Sequence, residues 1–436
     1  MQNLGQFSRF NVMLFVFLLL TPLLTYLGAA PLSVNVQAES AILINPDNGR
    51  ILYEKAPFAV HYPASITKVA TAMWSLKEMG DRLDEPITAS GDSVASVTEE
   101  AKRRVNYTLP AWWLVPGSTH IGIKKGETLS FRDLLHGMLL TSANDAANVI
   151  AEHVGGDGGI KNFMNGLNGY IQTLGCTKTH FENPNGLFHP DQKTCAYDMA
   201  MIMKEALKDP TFRSVIGTIT YTRPKTAKQA ASTIVQTNRL LRPGPFYYAK
   251  AIGGKTGYLA SARHTLVVAA KDNDRTLIAV FLKINERSDL WRDAVKLFEA
   301  AFNQPKVERT YLKAGPQKYS VQEDNFNVPL STYTNQDAKV AYYPAEEPTL
   351  KGLIFWDSLT PPILKGKRVG EIRLIDEKDH IHAAIPLLAG NDVSPTFWFT
   401  LKYFFTSGSP LFVAFKSLLA FLVLGGVLWL LFTRKG

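Results

Sequence analysis

The chain has 436 residues, of which 46% are hydrophobic and 19% charged, and its formal net charge is +9. This length exceeds one ordinary hydrophobic core, and the hydrophobic content excludes a disordered protein. The charged fraction is low because both ends contain long runs with almost no charge. Without the four basic residues of those ends, residues 39–409 carry +5 and contain no basic run, so nucleic acid is not an expected partner.

The N-terminus has the pattern of a secretory signal peptide. Arg9 precedes an apolar run over 12–20, and small residues follow as far as Ala38. We predict a signal peptide over 1–38, with cleavage after Ala38. Cleavage after Ala30 is less favoured because a proline would follow the cut, and an uncleaved membrane anchor is the alternative.

The C-terminus has the pattern of a transmembrane helix. Residues 410–432 are apolar at all but two positions, and about 20 apolar residues span a bilayer core. Arg434 and Lys435 are expected on the cytoplasmic side, and the aromatic segment 397–409 at the membrane interface. We therefore predict a single-pass cell-membrane protein whose catalytic part lies on the outer, periplasmic or extracellular, side. A helix lying in the interface is the alternative.

The exported part is predicted to form two domains. Over 39–303, helical periodicity recurs, for example at 131–140, and the turn-forming clusters 45–49 and 271–275 each join two apolar strands. This pattern indicates an α/β domain of the α+β type, with an antiparallel sheet flanked by helices. Over 304–396, short alternating stretches divided by turn residues indicate a small β-rich domain.

The cysteines and histidines give no metal signature. Cys176 and Cys195 would meet an oxidising environment after export, and the sequence leaves their pairing open. The nine histidines include no His-Glu-x-x-His motif, and His380 and His382 have the spacing of a strand that faces solvent. We expect neither a metal nor a cofactor.

The spacing of Ser65 and Lys68 is the first chemical signal. Residues three apart share one face of a helix, so the two side chains come within hydrogen-bond reach. A serine hydroxyl becomes a nucleophile when a base takes its proton, and a lysine whose pKa is lowered by burial can be that base. The spacing is common by chance, and a helix start capped by serine is the structural alternative.

Two further motifs follow downstream. Ser142 and Asn144 lie between two apolar helical stretches, where a hydroxyl can relay a proton and an amide can contact a substrate peptide bond. A helix–helix turn with a capping residue is the alternative. Lys255, Thr256 and Gly257 begin a predicted strand and offer a positive charge, a hydroxyl and close access to the backbone. A glycine-rich strand start is the alternative here, since the spacing of a Walker phosphate loop is not met.

Together, the three motifs resemble those of the low-molecular-mass penicillin-binding proteins, which are serine-type D-alanyl-D-alanine carboxypeptidases. The likeness covers about residues 39–300. It is carried by these stretches: 62–68, 142–147, 164–165 with 174–175, 179–187 and 255–257.

The resemblance implies a β-lactamase/transpeptidase-like fold and an acyl-enzyme mechanism that serves cell-wall biogenesis and cell shape. Ser65, with Lys68 as base, would attack the penultimate D-alanine of a peptidoglycan stem pentapeptide and expel the terminal D-alanine. A β-lactam would acylate Ser65 and remain attached. Ser142 would pass the proton, and the backbone N–H groups of Ser65 and Tyr258 would form the oxyanion hole. The substrate would be held by Asn144, Lys255, Thr256 and Gly257.

The sequence departs from the family pattern at three places. Leu259 and Arg263 stand where the family usually has threonine and glycine, so the resemblance does not settle substrate preference. A guanidinium there would narrow the cleft or bind an anionic group of the substrate. The segment 111–116, which contains two tryptophans, is either a lid or a packing patch, and packing is favoured.

Two other functions fit parts of this pattern. A β-lactamase of the same fold is disfavoured because Ala143 stands between Ser142 and Asn144, where that group has aspartate, and because a membrane tail does not suit a diffusible enzyme. A membrane receptor that is acylated without turnover is disfavoured because only 433–436 follow the predicted span, too few residues for a signalling domain.

Overall fold

The computed structural model describes residues 32–406 and 410–433. This part of the chain forms two compact units. The larger unit contains the residues up to Pro305 together with the short segment Pro344–Glu346. The smaller unit contains Lys306–Tyr343 and the residues that follow Glu346.

The larger unit is built on an antiparallel sheet. Its strands in chain order are β1 (Ser40–Ile44), β2 (Ile51–Lys55), β3 (Pro86–Thr88), β4 (Thr128–Ser130), β5 (Thr220–Arg223), β6 (Ser232–Val235), β7 (Ala251–Leu259), β8 (Arg263–Asp272) and β9 (Arg275–Ile284). Five of them form the main sheet in the order β2-β1-β9-β8-β7, and β3–β4 and β5–β6 are separate pairs. The predicted hairpins at 45–49 and 271–275 are confirmed as the connections β1–β2 and β8–β9.

Helices cover both faces of this sheet. They are α1 (Thr67–Met79), α2 (Glu99–Arg104), α3 (Phe131–Leu140), α4 (Asn144–Val154), α5 (Gly159–Thr173), α6 (Ala196–Ala206), α7 (Pro210–Gly217) and α8 (Arg287–Phe302), with 3-10 turns at Ala64–Ile66 and Gly156–Gly158. Val267 and Ala269 of β8 pack into a first core with α1 and α3–α7, whereas Leu266 and Val268 pack into a second core with α8. This period of two is that of a strand buried on both faces. The predicted mixed α/β class with antiparallel sheets is confirmed.

The start and end of helix α3, which leads into the site, follow from its sequence. The Ser130 side chain accepts from the Asp133 N–H, and the Asp133 carboxylate accepts from Ser130, which makes a capping box. Apolar residues at helical spacing bury the face toward the first core, and the helix ends at Thr141. The chain therefore turns immediately before Ser142.

The smaller unit is β-rich, with one five-stranded antiparallel sheet in the order β11-β12-β16-β15-β14 and a β10–β13 pair. A buried cluster that includes Ile372 and Leu387 forms its core, and a short 3-10 turn at Pro344–Glu346 interrupts its sequence. Its strands are β10 (Val307–Leu312), β11 (Gly315–Val321), β12 (Leu330–Thr334), β13 (Ala338–Tyr342), β14 (Lys351–Trp356), β15 (Arg368–Ile375) and β16 (Ile381–Ala389).

Two helices follow, α9 (Phe397–Thr406) and α10 (Pro410–Thr433). Within the two described ranges, no helix combines the length and the apolarity that crossing a membrane requires. The membrane span over 410–432 stays a prediction.

The structure describes only the last seven residues of the predicted signal peptide, 32–38. Residues 1–31 lie outside the described residues. Residues 32–38 pack into the second core, where Leu32, Val36 and Ala38 are buried. This burial favours a domain boundary upstream of Leu32 over the predicted cut after Ala38.

Candidate active site

Ser65 lies in the 3-10 turn that leads into α1. The preceding residue, Ala64, has φ of 52°, a left-handed conformation that costs a non-glycine residue about 1 kcal/mol or more. Gly186 lies against this turn with φ of 86°, and a Cβ built on it would overlap the Ala64 carbonyl oxygen. Only glycine permits this contact, so the loop that contains Gly186 fixes the turn of the nucleophile.

Lys68 is fully buried beneath Ser65. Its Nζ lies 3.1 Å from Ser65 Oγ and 2.7 Å from Asn144 Oδ1, and it also donates to the Asn185 backbone carbonyl. Burial lowers the pKa of Lys68 well below its ordinary value, and the nearby Lys255 charge lowers it further, while Asp145 acts in the opposite direction. A neutral amine in hydrogen-bond reach of a serine hydroxyl is a general base.

Ser142 and Lys255 form the opposite side of the site. Ser142 sits between α3 and α4 with φ of 73°, a second left-handed residue. Lys255 Nζ donates to Ser142 Oγ at 2.9 Å and to the Thr256 carbonyl at 2.8 Å. Complete burial lowers the pKa of Lys255 to about 7. The serine hydroxyl therefore has a titratable proton source next to it.

The remaining predicted residues lie along β7, at the edge of the main sheet. Thr256 Oγ1 is 3.3 Å from Thr237 Oγ1. A Cβ built on Gly257 would come within 2.8 Å of the Ser65 backbone nitrogen, so glycine at 257 lets β7 approach the nucleophile. The Tyr258 side chain is exposed and its ring lies 4.6 Å from that of His264.

The structure thus brings seven of the eight predicted residues together: five through side-chain hydrogen bonds, Thr256 through its carbonyl, which accepts from Lys255, and Gly257 through close backbone approach. The side chain of the eighth, Tyr258, is exposed and packs on His264 instead. Contacts join residues far apart in sequence, namely Lys68 with Asn144 and Ser142 with Lys255.

Sequence reasoning gave no role to Asn185 and Thr237. Asn185 presents its carbonyl to Lys68, and its side-chain amide donates to Asn148 Oδ1 at 2.9 Å and to the Trp112 carbonyl at 3.1 Å. The turn-forming residues around Asn185 were a signal for a loop, though not for this contact. Thr237 donates to the Leu140 carbonyl at 3.0 Å and had no sequence signal.

The tryptophan segment is a packing element, as favoured from the sequence. Trp112 packs against the first core. The indole N–H groups of Trp112 and Trp113 donate to the two carboxylate oxygens of Asp92, at 2.8 and 2.7 Å. These two hydrogen bonds fix the backbone at Trp112, whose carbonyl accepts from the Asn185 amide.

The described residues contain one group with the spacing of a metal site and two free thiols. Donor atoms of Glu182, His189 and Asp191 lie within 4.8 Å of one another. Cys176 and Cys195 are buried and unpaired, which answers the question that the sequence left open. Burial raises the pKa of the Cys195 thiol to about 12, so this thiol is protonated at neutral pH.

Comparison with known proteins identifies the family to which this chain is related. The sequence pattern of the D-alanyl-D-alanine carboxypeptidase family matches residues 28–286. The D-alanyl-D-alanine carboxypeptidase DacF of Bacillus subtilis is 27% identical over 368 residues, which cover 82% of this chain and 86% of DacF.

Two solved structures are also similar. The D-alanyl-D-alanine carboxypeptidase of Mycobacterium tuberculosis has a TM-score of 0.52 and 29% identity, over 64% of this chain and 96% of that one. The carboxypeptidase DacD of Francisella tularensis, at 23% identity, shares the fold with a TM-score of 0.57 over 84% of this chain and 96% of that one. Since the family pattern matches more than half of the sequence and the three motifs converge in the structure, the chain belongs to the D-alanyl-D-alanine carboxypeptidase family.

Proposed function

We propose that this chain removes the terminal D-alanine from peptidoglycan stem pentapeptides through an acyl-enzyme at Ser65. The observation that carries the proposal is the buried Lys68 amine 3.1 Å from the Ser65 hydroxyl, beside a strand that glycine brings up to the same serine. Membership of the carboxypeptidase family supports the reaction type.

The acylation step follows from the positions of the polar groups. Lys68 takes the proton of Ser65 as its oxygen attacks the carbonyl carbon of the penultimate D-alanine. The carbonyl oxygen becomes an oxyanion, which the N–H groups of Ser65 and Tyr258 stabilise. The C–N bond then breaks, and Ser142, backed by Lys255, delivers a proton to the departing D-alanine amine. Lys68 then releases its proton to solvent and is neutral again. In deacylation it takes a proton from the attacking water and returns it to Ser65 Oγ as the ester C–O bond breaks.

Binding of the substrate carboxylate is assigned to the middle of β7. Lys255 supplies positive charge and Thr256 a hydroxyl, while the Asn144 amide lies on the opposite wall. A bound carboxylate favours the charged form of Lys255, whose pKa of about 7 places it near its titration point at neutral pH. The leaving D-alanine thus helps to protonate the group that assists its departure.

The site of action is proposed to be the outer face of the cell membrane. The apolar N-terminal run and the 410–432 segment followed by Arg434 and Lys435 support export and a single membrane span. Flotation with phospholipid vesicles tests this attachment: the full chain floats, and a chain that ends at Thr396 does not. Flotation of both, or of neither, contradicts attachment through this segment.

The activity is tested on the purified full chain with a pentapeptide that ends in D-alanyl-D-alanine. D-alanine release is expected from the wild type and from Ser214→Ala, a control at an exposed serine, and is lost in Ser65→Ala. A fluorescent penicillin should label all but Ser65→Ala. Rapid release of hydrolysed penicillin with no D-alanine release would instead identify a β-lactamase, and labelling without any turnover would identify a receptor.

A further inference from the structure

Arg263 is a charged residue that the proposed reaction does not use. It begins β8 directly after the three-residue turn that follows β7, and its φ is 54°. The side chain is exposed, and among the described residues its guanidinium has no hydrogen-bond or ion-pair partner. A glycine would adopt this backbone conformation without strain, so the fold does not explain an arginine here.

The strand register places Arg263 on the face of the sheet that carries the nucleophile. Leu259 pairs with Arg263, and Gly257 pairs with Thr265, with no irregularity between these pairs. Directly opposite residues project to the same face, as do residues two apart along one strand. Because Gly257 lies against the Ser65 nitrogen, Leu259 and Arg263 share the Ser65 face. The intervening pair, Tyr258 and His264, projects to the other face, where the two rings contact each other.

The direction of the substrate along β7 follows from the proposed chemistry. The terminal carboxylate lies near Lys255 and Thr256, and the attacked carbonyl lies near Ser65 and Gly257. The upstream part of the peptide must then run toward Leu259, antiparallel to β7. Strand β7 is at the edge of the sheet, so a peptide can pair with its free side.

The distance from the attacked carbonyl to Arg263 corresponds to two residues of substrate. An extended peptide advances about 3.3 Å per residue, so a residue two positions upstream lies opposite Leu259, about 7 Å along the strand. Its side chain projects to the same face as that of the attacked residue. In a pentapeptide whose fourth residue is attacked, this position is the second residue.

We propose that Arg263 forms a specificity subsite that binds a free carboxylate on the second residue of the stem pentapeptide. The inference rests on the proposed function of the same site. A guanidinium recognises a carboxylate through two parallel N–H donors, and the neighbouring Leu259 offers apolar contact to the methylene groups of that residue. A carboxamide at the same position has one donor group and no charge, so it binds more weakly.

The test compares two synthetic pentapeptides that differ only in a carboxylate or a carboxamide on the second residue. The purified full chain is expected to cleave the carboxylate form with about tenfold higher kcat/KM, through a lower KM, because the contact is present before and during reaction. Arg263→Gln should abolish the preference, and Arg263→Lys should retain part of it. Added salt should weaken it, since the subsite is exposed.

Arg287→Gln is the matched control, because Arg287 begins α8 near His264 on the opposite face and should leave the preference intact. Arg263→Gly, which suits the left-handed backbone, guards against misfolding and should also lose the preference. Equal kcat/KM for the two peptides in the wild type, a preference that survives in Arg263→Gln, or its equal loss in Arg287→Gln would overturn the proposal. Failure of the wild type to cleave either peptide would contradict the carboxypeptidase function itself.

Discussion

Lys68 and Lys255 are two buried amines that share one small site. Burial keeps water away from both amines and so disfavours their charged forms; it is the largest influence on the pKa of each. The charge of Lys255 also disfavours a charge on Lys68, whereas Asn144 and Asn185 accept hydrogen bonds from Lys68 in place of a counter-ion. The arrangement keeps one amine neutral as a base while the second remains close to its titration point.

The pH dependence of acylation should report this coupling. Protonated Lys68 cannot accept the Ser65 proton, so the acylation rate falls as the pH falls through the pKa of Lys68. Lys255→Met removes the positive charge that lowers this pKa, so the acid limb should move to higher pH. The measurement is the second-order rate constant for labelling by a fluorescent penicillin across a pH series at constant ionic strength.

Lys255→Arg is the control for charge, because a guanidinium stays protonated throughout the series and should keep the acid limb at low pH. An acid limb at the same pH in the wild type and in Lys255→Met would show that Lys255 does not influence the base. The overall rate will fall in both variants, so the comparison concerns the position of the limb and not its height.

For individual residues, the sequence predicts contacts within one helix or strand better than contacts between different helices and strands. The pairing of Ser65 with Lys68 follows from helical spacing alone. The contact of Lys255 with Ser142 joins residues 113 positions apart, and neither spacing nor the family resemblance specified it; the resemblance implied only that both residues belong to one site. No residue-type pattern specifies that the Asn185 backbone carbonyl accepts from Lys68, because every residue type offers the same backbone oxygen.

The stretch 32–38 acts as a structural element although it has no regular secondary structure. Its apolar side chains fill the second core. Its backbone is held by polar contacts to other elements: the Leu32 N–H donates to the Leu52 carbonyl, the Gln37 N–H donates to Asp293, the Val36 carbonyl accepts from Lys55, and the Asn35 carbonyl accepts from Lys296. The sequence pattern of small residues that predicts signal-peptide cleavage does not reveal this packing, because it is read without the rest of the fold.

Removal of this stretch should destabilise the larger unit. A chain that begins at Glu39 loses the burial of Leu32 and Val36. Its free energy of unfolding is expected to be about 3 kcal/mol lower than that of a chain that begins at Leu32. For a unit of this size, that loss lowers the thermal midpoint by roughly 6–12 °C. Calorimetry of the two chains measures the difference. Equal midpoints would support a mature boundary at Ala38.

Hairpins were predictable, and the order of strands was not. The turn residues at 45–49 and 271–275 indicate β1–β2 and β8–β9 from local sequence. The pairing of β1 with β9 joins the two ends of the unit, and no local signal specifies it. This pairing joins the β1–β2 hairpin to β9, and β7 lies at the opposite edge of the same sheet, beside Ser65.

At the scale of the whole chain, the two units do not correspond to two continuous stretches of sequence. Residues 344–346 lie in the middle of the β-rich sequence, yet they belong to the larger unit. There Glu346 Oε1 accepts from Arg275 Nη2 at 2.6 Å and from Arg275 Nε at 3.0 Å, and both side chains are at least 92% buried. Asn45 Nδ2 donates to the second carboxylate oxygen at 3.3 Å. The stability of the larger unit therefore depends on a residue from outside its main sequence range.

Glu346→Ala should lower the free energy of unfolding of the larger unit by about 3 kcal/mol, because it leaves the buried Arg275 charge without this carboxylate. The neighbouring Glu347→Ala is the matched control: Glu347 pairs with Arg309, whose side chain is 54% exposed, so the expected loss is below about 1 kcal/mol. Denaturant unfolding of the full chain, followed by its tryptophan fluorescence, to which the buried Trp291 of the second core contributes, measures both. Arg275→Met in the Glu346→Ala background should recover part of the loss, since the buried charge that lost this carboxylate is then gone. Equal effects of Glu346→Ala and Glu347→Ala would show that the buried pair does not contribute to the larger unit, and that residues up to Pro305 fold with full stability without it.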